Sequence, residues 1–198
     1  MFKRIAVVFV IFALLTIVGC GKAPEQEMQK ANTAIEAART AEAEEYAPDA
    51  YQIATDTLNA ALAAKEEADG KFALFRSYGK AKELYIRAEA LAAQAATEAQ
   101  AEKERVMAEV TGLLAQAKAL LDSANVALSK APRGKGTKAD IELIKNDLAA
   151  AQTSFDEGQN DFNAGKYKVA KSKIEAAMQK AQAVISEIEE AKARKTGK

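Results

Sequence analysis

Apolar residues recur along this chain at alternating spacings of three and four, and most of them are alanine. Tyr51, Ala54, Leu58, Ala61, Ala68 and Phe72 follow that spacing, with Lys65 the one charged member of the series. Such a spacing lays a single apolar stripe along a helix, as in left-handed bundles. Roughly a quarter of the chain is alanine, well above ordinary usage, and Glu, Lys, Leu and Gln dominate the rest. These are strong helix formers, because alanine loses no side-chain entropy on folding and unbranched side chains lose little. After the N-terminal segment no stretch alternates apolar and polar residues as a strand would. The expected class is all-α. Alanine stripes let helix backbones approach toward the near end of the usual range of about 8–10 Å. Each methyl buries little area, however.

Helix breaks are few. Ala47-Pro48-Asp49 ends one helix and starts the next, Gly70 and Gly79 bracket a turn, 132–136 reads as a loop, and Gly158 and Gly165 bracket a last turn. The intervening helices are expected near 23–45, 48–70, 78–131, 138–163 and 166–194. At 1.5 Å per residue the third would be about 80 Å long, which suggests a helix shared by two modules.

A repeat supports that arrangement. The stripe beginning at Tyr51 recurs at Ile141, Ile144, Leu148, Ala151, Phe155, Gly158 and Phe162. Tyr78, Ala81, Tyr85 and Ala88 recur as Tyr167, Ala170, Ile174 and Ala177, and Ala31, Ala34 and Ala38 align more loosely with Ala117, Leu120 and Ala124. The expected fold is an elongated antiparallel helical bundle of two duplicated three-helix units, 27–104 and 105–198, sharing a long central helix. Beyond the N-terminal segment every aromatic residue lies within Tyr46–Tyr85 or Phe155–Tyr167. These aromatics are expected to pin the hairpin ends. Lys65, which stands where the repeat places Phe155, is expected to snorkel at the stripe edge.

The chain's one cysteine, Cys20, follows an apolar run from Ile5 to Val18, itself preceded by Lys3 and Arg4. A charged start, a short apolar run and a small residue before the cut make a secretory signal peptide, here 1–19. The run is shorter than the roughly 20 apolar residues that span a bilayer. Ile17-Val18-Gly19-Cys20 resembles a bacterial lipobox. That resemblance implies a diacylglycerol on the Cys20 thiol, cleavage before it, an acylated (palmitate-type) N-terminus, and a tether over 20–26. One acyl chain holds a protein only marginally, at about 0.8 kcal/mol per buried methylene, whereas two or three anchor it stably. Gly21, rather than Asp, resembles the pattern of lipoproteins sorted to a Gram-negative outer membrane, facing the periplasm.

The chain contains no histidine and no tryptophan. That removes Ser-His-Asp and Cys-His catalysis and the common zinc, copper and haem ligands. No cofactor and no metal site are expected, and no motif marks paired acids or a Ser-Lys arrangement, so the chain is expected not to be an enzyme. With a lone cysteine there is no disulfide. Removing Lys3 and Arg4 from 28 basic residues leaves 26 against 28 acidic ones. That balance suggests neither a nucleic-acid partner nor an anionic membrane surface, and no small-molecule substrate is evident.

Gly165-Lys166-Tyr167-Lys168-Val169-Ala170, echoed by Tyr78, Ala81, Tyr85 and Ala88, resembles the second helix of a tetratricopeptide repeat. The period near 90 is far from that family's 34. Gly134-Lys135-Gly136-Thr137 lacks the spacing of a phosphate loop, and no strand precedes it. Tyr78, Tyr167, Arg133 and Lys135 stand as candidate partner contacts; the basic pair also suits a solvated loop at the carbonyl end of a helix.

The lipobox, the Tyr46-Ala47-Pro48 helix start and the Tyr-x-x-Ala hairpin together resemble alanine-rich helical lipoproteins of bacterial envelopes, a group known as a domain of unknown function. Tyr46 to Ala95 carries the likeness best. The resemblance implies location and fold and supplies no site residues. The resulting expectation is a non-enzymatic, lipid-anchored scaffold or interaction module that contacts envelope proteins. The alternatives are a tetratricopeptide-like adaptor for peptide segments and, more distantly, an acid/base hydrolase.

Overall fold

A computed structural model describes residues 22–131 and 138–196, and within them the chain is all-α. Six α-helices follow in order: α1 (Glu25–Thr40), α2 (Ala43–Tyr46), α3 (Pro48–Asp69), α4 (Gly79–Ser129), α5 (Lys138–Asn163) and α6 (Tyr167–Thr196), with a 3-10 turn at Ala73–Phe75 between α3 and α4. The chain divides into two compact units, Met1–Glu102 and Lys103–Lys198, and α4 runs through the division.

The single helix expected over 23–45 is interrupted. α1 stops at Thr40, and Glu42 takes a left-handed conformation (φ 60°) before α2 begins. The corner lets Ala43 and Tyr46 turn inward, where both are buried. Arg39 reaches across it to Glu44 at 3.3 Å while also holding Glu36 at 2.9 Å. α3 then starts on Pro48, whose missing N–H costs nothing in a first turn.

In the first unit the core is alanine and tyrosine. Its buried residues are Ala31, Ile35 and Ala38 of α1, Ala54, Leu58, Ala61, Ala64 and Ala68 of α3 and a long alanine series on α4, and Tyr46, Tyr51, Tyr78 and Tyr85 supply the bulk. The second unit fills its core differently. Leu121 of α4, Ile144, Leu148 and Phe155 of α5, and Ile174, Val184 and Ile188 of α6 pack with alanines between them.

Buried positions recur in register between the units. Ala81, Tyr85, Ala88, Ala92 and Ala95 match Ala170, Ile174, Ala177, Ala181 and Val184, and all ten are buried. Ala54, Leu58 and Ala61 match Ile144, Leu148 and Ala151 in the same way. Two positions break the register. Ala64 is buried and Lys65 sits at the stripe edge, where the second unit buries Phe155. The second break is at the hairpin ends: Phe72, expected to join the stripe, is 69% exposed. α3 ends at Asp69, before Phe72 can be carried onto its inner face, whereas α5 continues to Asn163 and keeps Phe162 half-buried.

The second hairpin closes on Gly165, which has φ 78°, with the Gly165 N–H bonded to Phe162 O and the Lys166 N–H to Asp161 O. That pair of bonds is a Schellman motif, which needs a left-handed residue where glycine sits. The first hairpin takes nine residues, 70–78, to make the same connection, and the 3-10 turn fills its middle.

Candidate functional site

The end of the first unit where α3 gives way to α4 collects the polar chemistry of that unit. Lys65 and Asp69 lie one turn apart on α3, so their side chains meet, with Lys65 Nζ 2.9 Å from Asp69 Oδ2. Tyr78, just ahead of α4, donates its hydroxyl to Asp69 Oδ1. Both carboxylate oxygens are therefore engaged. The Tyr78 hydrogen bond, followed by that of Lys65, holds the Asp69 carboxyl below the usual range. The same contacts push the Tyr78 phenol and the Lys65 ammonium up. Two turns further along, on α4, Tyr85 is fully buried; its hydroxyl finds no hydrogen-bond partner among the described residues, and burial pushes its phenol up.

α1 joins this end through Glu27, whose carboxylate lies 2.9 Å from Lys82 Nζ of α4 and is lowered chiefly by that hydrogen bond. Between the two segments lies an open cleft of about 920 Å³, lined by 22–27 on one side and by Arg76, Ser77, Tyr78, Gly79 and Lys82 on the other. A general acid working near neutral pH needs a carboxyl raised toward that range. Asp69 and Glu27 are both shifted the opposite way.

Beside the cleft stands the turn that the repeat does not share. Phe72, Leu74 and Phe75 are 69%, 82% and 76% exposed, the three highest values among the exposed large apolar residues described. The 3-10 bond from Phe75 N–H to Phe72 O (2.8 Å) and the bond from Arg76 Nε to Lys71 O (3.1 Å) fix the loop that presents them. The two phenylalanine rings lie 6.5 Å apart, tilted by 48°. The sequence places Phe72 in the apolar stripe and Phe75 among the aromatics expected to pin the hairpin ends, and gives Leu74 no role; both rings are exposed instead. A signal was available: Phe72-Ala73-Leu74-Phe75 is an apolar run inside a glycine-bracketed turn, where polar residues are the rule.

The candidate contact residues fall in different settings. Tyr78 is buried, with 8% of its surface exposed, and its hydroxyl is committed to Asp69. Tyr167 is half-buried, its ring 5.3 Å from that of Phe162 and 6.0 Å from Lys103 Nζ. Cys20, Arg133 and Lys135 lie outside the described residues. Among the described residues no group of three or more His, Cys, Asp or Glu side chains is placed to hold a metal ion. No described helix is long and apolar enough to cross a membrane. No protein-family model, curated protein or solved structure matches the chain.

Proposed function

We propose that this protein is a non-enzymatic lipoprotein, tethered through Cys20 and serving as a helical scaffold or interaction module in a bacterial envelope. The observation that carries this reading is the placement of the lone cysteine, after Ile17-Val18-Gly19 and five residues ahead of α1. An acylated Cys20 would hold the first unit at a membrane surface with no spanning helix. The resemblance to envelope lipoproteins, and Gly21 after the cysteine, favour an outer-membrane location facing the periplasm. Helices with alanine inside and charge outside suit a spacer or docking surface, because their function then needs only shape and exposed side chains.

The second reading, an adaptor for peptide segments, draws on the open cleft between 22–27 and the start of α4. In-cell crosslinking of the tethered protein, compared with a Cys20→Ser form, tests the first reading. Discrete adducts with envelope proteins that disappear in Cys20→Ser are expected. Adducts that persist unchanged without the tether would contradict a membrane-anchored role.

A further inference from the structure

We propose that the 70–78 turn is a second membrane contact: Phe72, Leu74 and Phe75 enter the interface of an anionic bilayer at the end of the first unit where the tether attaches. Three observations converge on it.

The first is the apolar tip. Exposed large apolar residues elsewhere in the described chain are scattered singly, whereas these three stand within four positions on a turn fixed by its own hydrogen bonds. Clustered exposure of this kind marks an interaction site. Phenylalanine and leucine on a compact loop suit the boundary between headgroups and acyl chains, as on interfacial helices.

The second is charge. From Gly70 to Lys82 the chain carries Lys71, Arg76, Lys80 and Lys82 and no acidic residue. Glu67 pairs with Lys71 and Glu27 with Lys82, and Arg76 and Lys80, the two remaining cations of the turn, stand beside the tip within the electrostatic reach of Asp69 and Glu67. Cations flanking an apolar loop attract anionic headgroups while the apolar residues insert.

The third is where the rest of the chain must go. Lys22 lines the same cleft as Arg76 and Ser77, next to the tip. Cys20 stands two residues before Lys22 in the sequence, and two residues of chain reach about 7 Å at most. A lipid on Cys20 therefore enters the bilayer at the end that presents the tip. Acylation alone is strengthened by a second, protein-borne signal. The matched hairpin of the second unit has no such device among its described residues: its connection is three residues long, and the Phe162 ring packs tilted against Tyr167.

The inference uses the tether reading to place the membrane, and a test on lipid-free protein lets the two fail separately. The chain from Gly21 onward contains every described helix and no acyl group. It also lacks tryptophan, so Leu74→Trp introduces a single reporter, and Leu143→Trp, another exposed leucine, serves as the control. Each would be mixed with phosphatidylglycerol-containing vesicles, with neutral phosphatidylcholine vesicles, and with vesicles of brominated lipid.

We expect Leu74→Trp emission to shift to the blue with anionic vesicles and to be quenched by brominated acyl chains, while Leu143→Trp stays unchanged. Phe72→Ser with Phe75→Ser should weaken vesicle binding by about tenfold or more, with helicity intact since both rings are exposed. No shift with anionic vesicles would overturn the proposal. So would a shift that depends on protein concentration without vesicles, which would assign the tip to a second copy of the chain. Equal response from the control would overturn it too, as non-specific adsorption.

Discussion

Asp69 ties three elements of sequence together: the end of α3, the Lys65 that breaks the apolar stripe, and the Tyr78 that begins the next helix. Its position follows from simple spacing. Four residues separate it from Lys65, and the nine-residue connection brings Tyr78 back over it. The pH dependence follows from the direction of its shift. A carboxyl whose folded pKa lies below its unfolded value of about 3.9 stabilises the fold above that value and loses this contribution as pH falls through the folded pKa. Asp69→Asn should therefore melt below the parent at neutral pH, and the gap should close as pH drops below about 4. Thermal melts followed by circular dichroism across that range would check it. A gap of constant size would mean that the carboxylate charge contributes nothing. Tyr78 was legible as part of a repeated Tyr-x-x-Ala pattern. Its bond to Asp69 was not, because no spacing rule links residues on opposite sides of a turn.

Stripes and their periods determine the helices, and the sequence shows them plainly. Breaks are harder to read. Pro48 and Gly165 marked theirs because each has a backbone property that no other residue shares as fully. The corner at Glu42 carried no such mark: a glutamate occupies the left-handed position, and the gain comes from burying Ala43 and Tyr46 in tertiary contacts. Gly158 was read as a turn signal, yet it lies within α5 and marks a close approach. A Cβ there would meet Ile174 Cδ1 at 2.7 Å, Ile174 Cγ1 at 2.9 Å and the Ala170 carbonyl at 3.3 Å. Ile174 is fully buried and cannot swing aside freely. Alanine would gain about 1 kcal/mol in helix propensity. Overpacking a tight core typically costs about 1–3 kcal/mol, and here a backbone oxygen shares the clash. Gly158→Ala should therefore lower the melting temperature of the protein, by a net cost of about 1 kcal/mol. A rise in melting temperature would show that α5 and α6 separate easily at this point.

At the scale of the molecule, helix content, the order of the long helices and the recurrence of buried positions were legible, because a three-four apolar period has one structural solution. The hairpin ends were not. The same Phe-to-Tyr pattern closes on a half-buried ring pair in one unit and leaves its phenylalanines exposed in the other. The outcome turns on where α3 and α5 stop, and the stripe does not encode that. Location hangs on a short segment and one thiol. The direct measurement is the intact mass and fractionation of the protein from a bacterial host, wild type beside Cys20→Ser. The account predicts a wild-type chain beginning at Cys20, heavier than its polypeptide by two or three acyl chains and held in the membrane fraction, and a Ser variant with no added lipid mass. A wild-type chain of unmodified mass, fractionating as Cys20→Ser does, would contradict it.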